Sequence, residues 1–179
     1  MDKQSFRAVD PLEIDPIFER IGKDWMLISA SDSERKNTMT ASWGTCGILW
    51  NKPVAVCFIR PQRYTCPIVE TADRLSLAFF DGAYRDALSY CGRHSGRDGD
   101  KFAASGLTPV MTEEGVPYPK EASLVLVCRK LYADTLKMDG FLDPSLLSHY
   151  PAKDFHRVFV CEIEQALVRN ASFDSGSFI

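Results

Sequence analysis

Two short segments carry the residue types that could grip a charged ligand. Asn37-Thr38-Met39-Thr40-Ala41-Ser42-Trp43-Gly44 offers small hydroxyls and an amide on a polar, turn-rich stretch. Arg60-Pro61-Gln62-Arg63-Tyr64-Thr65 offers two guanidiniums beside a threonine at a predicted helix start. In the second segment Thr65 can cap the helix that follows, and Pro67 suits a first helical turn. Free backbone N–H groups at such a start, with the positive end of the helix dipole, favour an anion. Arg60 and Arg63 would add charge-assisted hydrogen bonds to phosphate oxygens. The same residues also fit a plainer arrangement, in which Thr65 only caps and both arginines lie in water.

The first segment tips that balance. Strand alternation puts Thr38, Thr40 and Ser42 on one side and Met39, Ala41 and Trp43 on the other, so one side can hydrogen-bond while the other packs. An exposed Thr/Ser edge of an antiparallel strand has the same composition. Taken together, the two segments predict an anion cradle for a phosphorylated, planar ligand. A third stretch, Ser95-Gly96-Arg97-Asp98-Gly99-Asp100-Lys101, has glycines that let backbone approach a ligand closely and Lys101 as a point charge. It matches neither the Walker A nor the Rossmann glycine spacing, and a solvated loop has the same composition.

Residues for acid–base or nucleophilic chemistry do not cluster. His94, His149 and His156 stand alone, and no Ser/His/Asp order or paired carboxylates stand out, so no residue is assigned a catalytic role. The six cysteines are widely spaced, with no Cys-x-x-Cys motif. That spacing argues against a metal site and for small buried thiols. The pattern is that of a site built to hold something reactive.

The elements that must position these residues are mostly strands. Residues 14–22 read as a short N-terminal helix stopping at Gly22, and 25–31 as a strand followed by a hairpin loop into a strand from about Thr38. Residues 54–59 are continuously apolar, as in a strand covered on both faces, and 74–79 alternate. A helix spans 66–73, and Tyr84, Ala87, Leu88 and Cys91 recur at helical spacing over 84–91. Residues 102–105 form a short helix, and 124–131 and 157–168 are long strands, with Phe159, Cys161, Ile163 and Leu167 on one face. Residues 133–155 cross the surface, and 170–179 have no periodicity. Strands without a repeating strand-helix-strand rhythm favour a closed or partly closed antiparallel barrel.

At 179 residues the chain reads as one domain over 1–179, large enough for a substantial core. A formal charge of −3 argues against general nucleic-acid binding. No apolar run is long enough to span a bilayer, no secretory core opens the chain, and a cytoplasmic location is the default expectation.

Over roughly residues 25–168 the sequence resembles the flavin reductase-like, FMN-binding split-barrel proteins, especially the flavoredoxin branch. The resemblance rests on Asn37 to Gly44, on Arg60-Pro61-x-Arg63-Tyr64-Thr65, on Ser95-Gly96-x-Asp98-x-Asp100-Lys101-Phe102, and on His156-Arg157-x-Phe159-x-x-Glu162-Ile163. It implies a mainly β fold, a six-stranded antiparallel Greek-key split barrel with short peripheral helices, working as a homodimer with flavin at or near the subunit interface. Carried over, Asn37, Thr38, Met39, Thr40, Ser42 and Trp43 would contact the ring and ribityl chain of FMN. Arg60, Arg63, Tyr64 and Thr65, with Ser95, Gly96 and Lys101 closing over, would surround the phosphate, and His156 would approach the flavin from the last strand. Relatives often carry Gly-Glu-Ile where this chain has Cys161-Glu162-Ile163, and Lys where it has Arg97. The implied activity is NAD(P)H-dependent flavin reduction. The alternatives are an electron carrier that keeps its FMN and exchanges electrons with a redox protein partner, or a non-catalytic module for flavin or another flat cofactor such as haem or a deazaflavin.

Overall fold

A computed structural model describes residues 6–10 and 17–170. Its frame is an antiparallel sheet in the order β3-β2-β6-β9-β10-β5-β4. The strands are β1 (Phe6–Val9), β2 (Met26–Ser31), β3 (Lys36–Ala41), β4 (Gly44–Leu49), β5 (Lys52–Ile59), β6 (Arg74–Phe79), β9 (Leu124–Thr135) and β10 (Arg157–Arg169). The first half of β10 pairs with β5 and its second half with β1 along the same edge. The strands at the two ends of the order, β3 and β4, are joined only by Ser42 and Trp43, so the sheet must curl until its ends meet. The result is an antiparallel split barrel. Its sheet has eight strands instead of the six expected, with β7 (Pro109–Met111) and β8 (Pro117–Pro119) forming a separate hairpin.

Two apolar layers result. Inside the barrel, Met26, Ile28, Met39, Ala55, Cys57, Ile59, Leu75, Leu77, Leu126 and Phe159 pack with Ile68 and Val69 of α2 (Thr65–Thr71). Outside β2, β6 and β9, the side chains Leu27, Ala78, Val125 and Val127 are covered by α3 (Arg85–Arg93), α4 (Lys101–Ala104) and the β7–β8 hairpin, through Leu88, Phe102 and Tyr118. β6 is covered on both faces, so it is buried from Leu75 to Phe79, with the Ser76 hydroxyl satisfied by the Pro117 carbonyl. In contrast β5 alternates buried and half-buried positions beyond Ala55, since no helix covers its outer side.

Several local expectations need correction. The predicted N-terminal helix lies partly outside the described residues. Its described part, α1 (Ile17–Glu19), continues through a wide π-helical turn (Arg20–Asp24) past Gly22. The segment 36–41 is a regular strand, and the reversal falls at Ser42 and Trp43. The strand β4 and its two-residue turn were not foreseen. Trp50 and Asn51 both take left-handed backbone angles (φ 53° and 56°), as a tight hairpin with the twist of its strands requires. In β10 the register against β9 shifts between Ile163 and Gln165, so Glu164 is an extra residue. That bulge reverses the side-chain parity. Phe159, Cys161 and Ile163 face the barrel interior, whereas Leu167 joins the outer layer. All six cysteines are free and five are buried.

Candidate functional site

Three of the four sequence motifs converge at one mouth of the barrel. Asn37, at the start of β3, donates from Nδ2 to Thr65 Oγ1 at 2.8 Å, and both residues are buried. The Thr65 hydroxyl therefore serves as this partner and does not cap α2, which lacks a side-chain cap. The third motif closes on the other two at Gly96. A methyl group there would lie 2.3 Å from Asn37 Oδ1 and 2.6 Å from the Tyr64 ring, so only a bare backbone fits. Asp100 accepts from the Phe102 N–H at 2.9 Å and starts α4, which places Lys101 inward. Lys101 Nζ donates to the carbonyls of Cys91 (2.6 Å) and His94 (3.2 Å), and Arg63 Nη1 donates to Gly92 at 2.7 Å. Both cations thereby hold the end of α3, where its dipole is negative.

The hollow enclosed by these groups measures about 200 Å³. Arg63, Arg93, Arg97 and Lys101 line it, together with Asn37, Met39, Tyr64, Thr65, Ser95 and Gly96, and no carboxylate does. Burial pushes the Lys101 ammonium down to about 8, a shift opposed by the nearby Cys91 and assisted by Arg63. Arg63 is lowered too, by burial and then by Arg60. Such depressed cations gain most from an arriving anion.

From this basic end the space continues. Thr40, Ser42, Arg63, Gly92, Arg93 and Trp25 line a second hollow of about 210 Å³, which shares Arg63 and Arg93 with the first. Ser42 in turn belongs to a third hollow of about 470 Å³, walled by Ile21, Trp43, Gly44, Cys46, Phe58 and Tyr150. This third space is mostly apolar and within the ~300–1,000 Å³ typical of small-molecule pockets. The run thus passes from cationic through hydroxyl-bearing to apolar walls.

The remaining predicted residues sit beside the run. The Thr40 hydroxyl donates to the Leu88 carbonyl, which fixes α3 against β3. Thr38 is buried on the outer face and accepts from Ser29 Oγ at 2.9 Å. Arg60 turns away from the basic hollow. Its guanidinium pairs with Asp154, donates to the His149 carbonyl at 2.7 Å, and lies 5.1 Å over the Tyr150 ring. His156 is buried behind the apolar end, with its ring 5.3 Å from that of Trp43 and Nδ1 2.8 Å from the Tyr150 hydroxyl. Burial, reinforced by Arg60, pushes it down to about 4, so it is neutral at pH 7. Sequence reasoning missed Arg93, Trp25, Phe58 and Tyr150. Arg93 was visible beside the glycine-rich loop, whereas the aromatic residues carry no local signal.

The family model described as flavin reductase like domain matches residues 18–176. The chain belongs to this family. Solved structures of similar fold include a flavoredoxin from Methanosarcina acetivorans, at 24% identity and TM-score 0.62, covering 80% of this chain and 67% of that one. An FMN-binding domain of a flavin reductases-like enzyme from Shewanella baltica OS155 has 18% identity and TM-score 0.69 over 97% of this chain and 82% of its own. The NADH:FAD oxidoreductase SgcE6 of Streptomyces globisporus has 17% identity and TM-score 0.64 over 92% and 89%. No individually curated protein matches the sequence. At these identities the likeness speaks for the flavin reductase-like fold.

Proposed function

We infer that the chain binds FMN along the run of hollows and serves as an NAD(P)H-dependent flavin reductase. The observation that carries this reading is the basic hollow: four cationic side chains and no carboxylate, in a chain of net charge −3. Such a site suits a dianionic phosphate. The donor set fits the cofactor. Arg63, Thr65, Lys101 and the backbone around Gly96 would hold the phosphate, Thr40 and Ser42 would meet the ribityl hydroxyls, and Trp43, Phe58 and Tyr150 would flank the ring.

Flavin held there would supply a two-electron acceptor for hydride from a dihydronicotinamide donor. The protein's own part is orientation and exclusion of water. Lys101 and Arg63 fix the loop and the end of α3 around the charged tail. The Tyr150–His156 pair backs Trp43 without delivering a charge, since His156 is neutral. No acid–base pair is needed for that task.

The exposed Ile48, Leu49 and Trp50 on the β4 hairpin form an apolar edge that supports assembly as a homodimer. Free thiols throughout fit a cytoplasmic location, and no described helix is long and apolar enough to cross a membrane. The likeness to a flavoredoxin favours a second reading, an electron carrier for a protein partner. Steady-state oxidation of NADH and NADPH with FMN separates them. Turnover well above that of free flavin supports the reductase. Slow pyridine nucleotide oxidation by a yellow protein that a ferredoxin-like donor reduces rapidly supports the carrier.

A further inference from the structure

Arg60 directly follows β5 and Asp154 lies just before β10, and the pairing of Ile59 with Arg157 brings the two together. The motif that contains Arg60 also contains Arg63 and Thr65, which line the basic hollow, whereas Arg60 stays outside it. Its guanidinium is engaged elsewhere. Nη1 donates to Asp154 Oδ2 and Nη2 to the His149 carbonyl at 2.7 Å, while the group lies 5.1 Å from the centre of the Tyr150 ring. Gln62 Nε2 donates to the same Asp154 oxygen at 2.6 Å. The Arg60 and Asp154 side chains are only 25% and 18% exposed, so water and salt screen the pair poorly. Asp154 Oδ1 is buried without a partner, which makes this carboxylate dependent on the arginine.

The three groups that Arg60 touches all belong to the segment 136–156, which joins β9 to β10 and carries part of the apolar wall. The His149 ring stands edge-on to Trp43 at 5.3 Å. The Tyr150 hydroxyl is bonded to His156, whose own ring lies 5.3 Å from Trp43. Trp43 is thus backed by two imidazoles, one fixed by Arg60 through the His149 carbonyl and the other through the face of Tyr150. Trp43 itself sits in the reversal between β3 and β4 and is half-exposed, so its orientation depends on these neighbours. The outer part of the same segment exposes Met138, Leu142 and Leu146. Burial therefore anchors the segment weakly there, and the inner contacts around Arg60 must hold it.

We propose that Arg60 is a positioning residue for the flavin ring: paired with Asp154, it clamps the β9–β10 segment so that His149 and His156 hold Trp43 at the apolar hollow. The phosphate is left to Arg63, Thr65 and Lys101. This proposal rests on the FMN reading above. It reassigns the first arginine of its motif, which the family resemblance sets at the phosphate. The planar fork suits the task, since its N–H groups diverge to a carboxylate and a carbonyl while its flat face rests on an aromatic ring. An ammonium group offers no such geometry.

The test follows flavin fluorescence on the full chain with Arg60→Gln, Asp154→Asn and the double variant. FMN and riboflavin should both bind about tenfold more weakly to Arg60→Gln, with the ratio of their affinities unchanged. Asp154→Asn should lose a similar factor, and the double variant no more than the larger single loss, because both act through one contact. A second readout does not depend on affinity. At saturating riboflavin the emission of the bound ligand should rise about twofold in each variant, since an indole held against the ring quenches it and simple destabilisation only reduces the amount bound. In the ligand-free protein, amides of 136–156 should exchange hydrogen about tenfold faster in each variant, while those of β2 and β6 keep the parent's rates. Loss of affinity for FMN alone in Arg60→Gln would return this guanidinium to the phosphate and overturn the proposal. Additive losses, or emission and exchange unchanged from the parent, would overturn it as well. Failure of the parent to bind either flavin would instead sink the FMN reading, and the clamp's role with it.

Discussion

At its basic end the ligand run is defined by hydrogen bonds between three separate chain segments, Asn37 to Thr65, Arg63 to Gly92 and Lys101 to Cys91 and His94. At its apolar end Trp43, Phe58 and Tyr150 each pack against the ring of His156, with Trp43 half-exposed. The first kind of site admits few residue types at each position, because a buried donor without its acceptor is costly. The second tolerates many apolar residues of suitable volume. The two ends should therefore respond differently to substitution and to the ligand's phosphate.

The largest effect is expected from Arg63→Ala combined with Thr65→Ala. Loss of two charge-assisted contacts at about 1.5–3 kcal/mol each would weaken FMN by roughly 100- to 10,000-fold. Riboflavin, which has no phosphate, should lose less than about threefold by the same measure. Quenching of flavin fluorescence reads both, and equal losses would dissolve the distinction between the ends. Next comes Gly96→Ala. Its methyl group would sit 2.3 Å from Asn37 Oδ1 and force the loop outward. Overpacking of about 1–3 kcal/mol predicts FMN affinity lowered by roughly tenfold to 100-fold. Trp43→Ala probes the other end. It should weaken FMN and riboflavin alike, by about five- to tenfold, and a loss confined to FMN would contradict the placement of the ring.

The smallest effects concern pH. With its folded value lowered to about 8, Lys101 binds fewer protons in the native state than in the unfolded chain between pH 8 and 10.5. Stability should rise over that window in the ligand-free protein, and Lys101→Met should flatten the rise in denaturant midpoints. His156, lowered to about 4, gives stability that is complete above pH 6.5 and lost as the pH falls towards 4. His156→Gln should remove that slope. A slope retained in either variant would mean that burial of that side chain is not its source.

How much of this was legible in the sequence follows the same division. Asn37, Arg63, Thr65, Gly96 and Lys101 could be picked out because hydrogen bonding and close approach demand particular residues. Periodicity located β6, α3 and the long strands, since each buries a regular stripe. The fate of Leu167 could not be read, because one extra residue at Glu164 inverts the faces and leaves no compositional mark. The partner of Arg60 was equally hidden. Asp154 lies far along the chain, and only the fold shows that it captures this guanidinium while Arg63, three residues on, faces the basic hollow. Phe58 and Tyr150, 92 positions apart in the chain, line one hollow through a long-range approach that sequence alone does not specify.

The most direct test of the basic-to-apolar run is a crystal structure of the protein with FMN. Phosphate density among Arg63, Thr65, Gly96 and Lys101, with the ring against Trp43, Phe58 and Tyr150, is the predicted result. A phosphate lodged anywhere else, or a ring in the basic hollow, would contradict it.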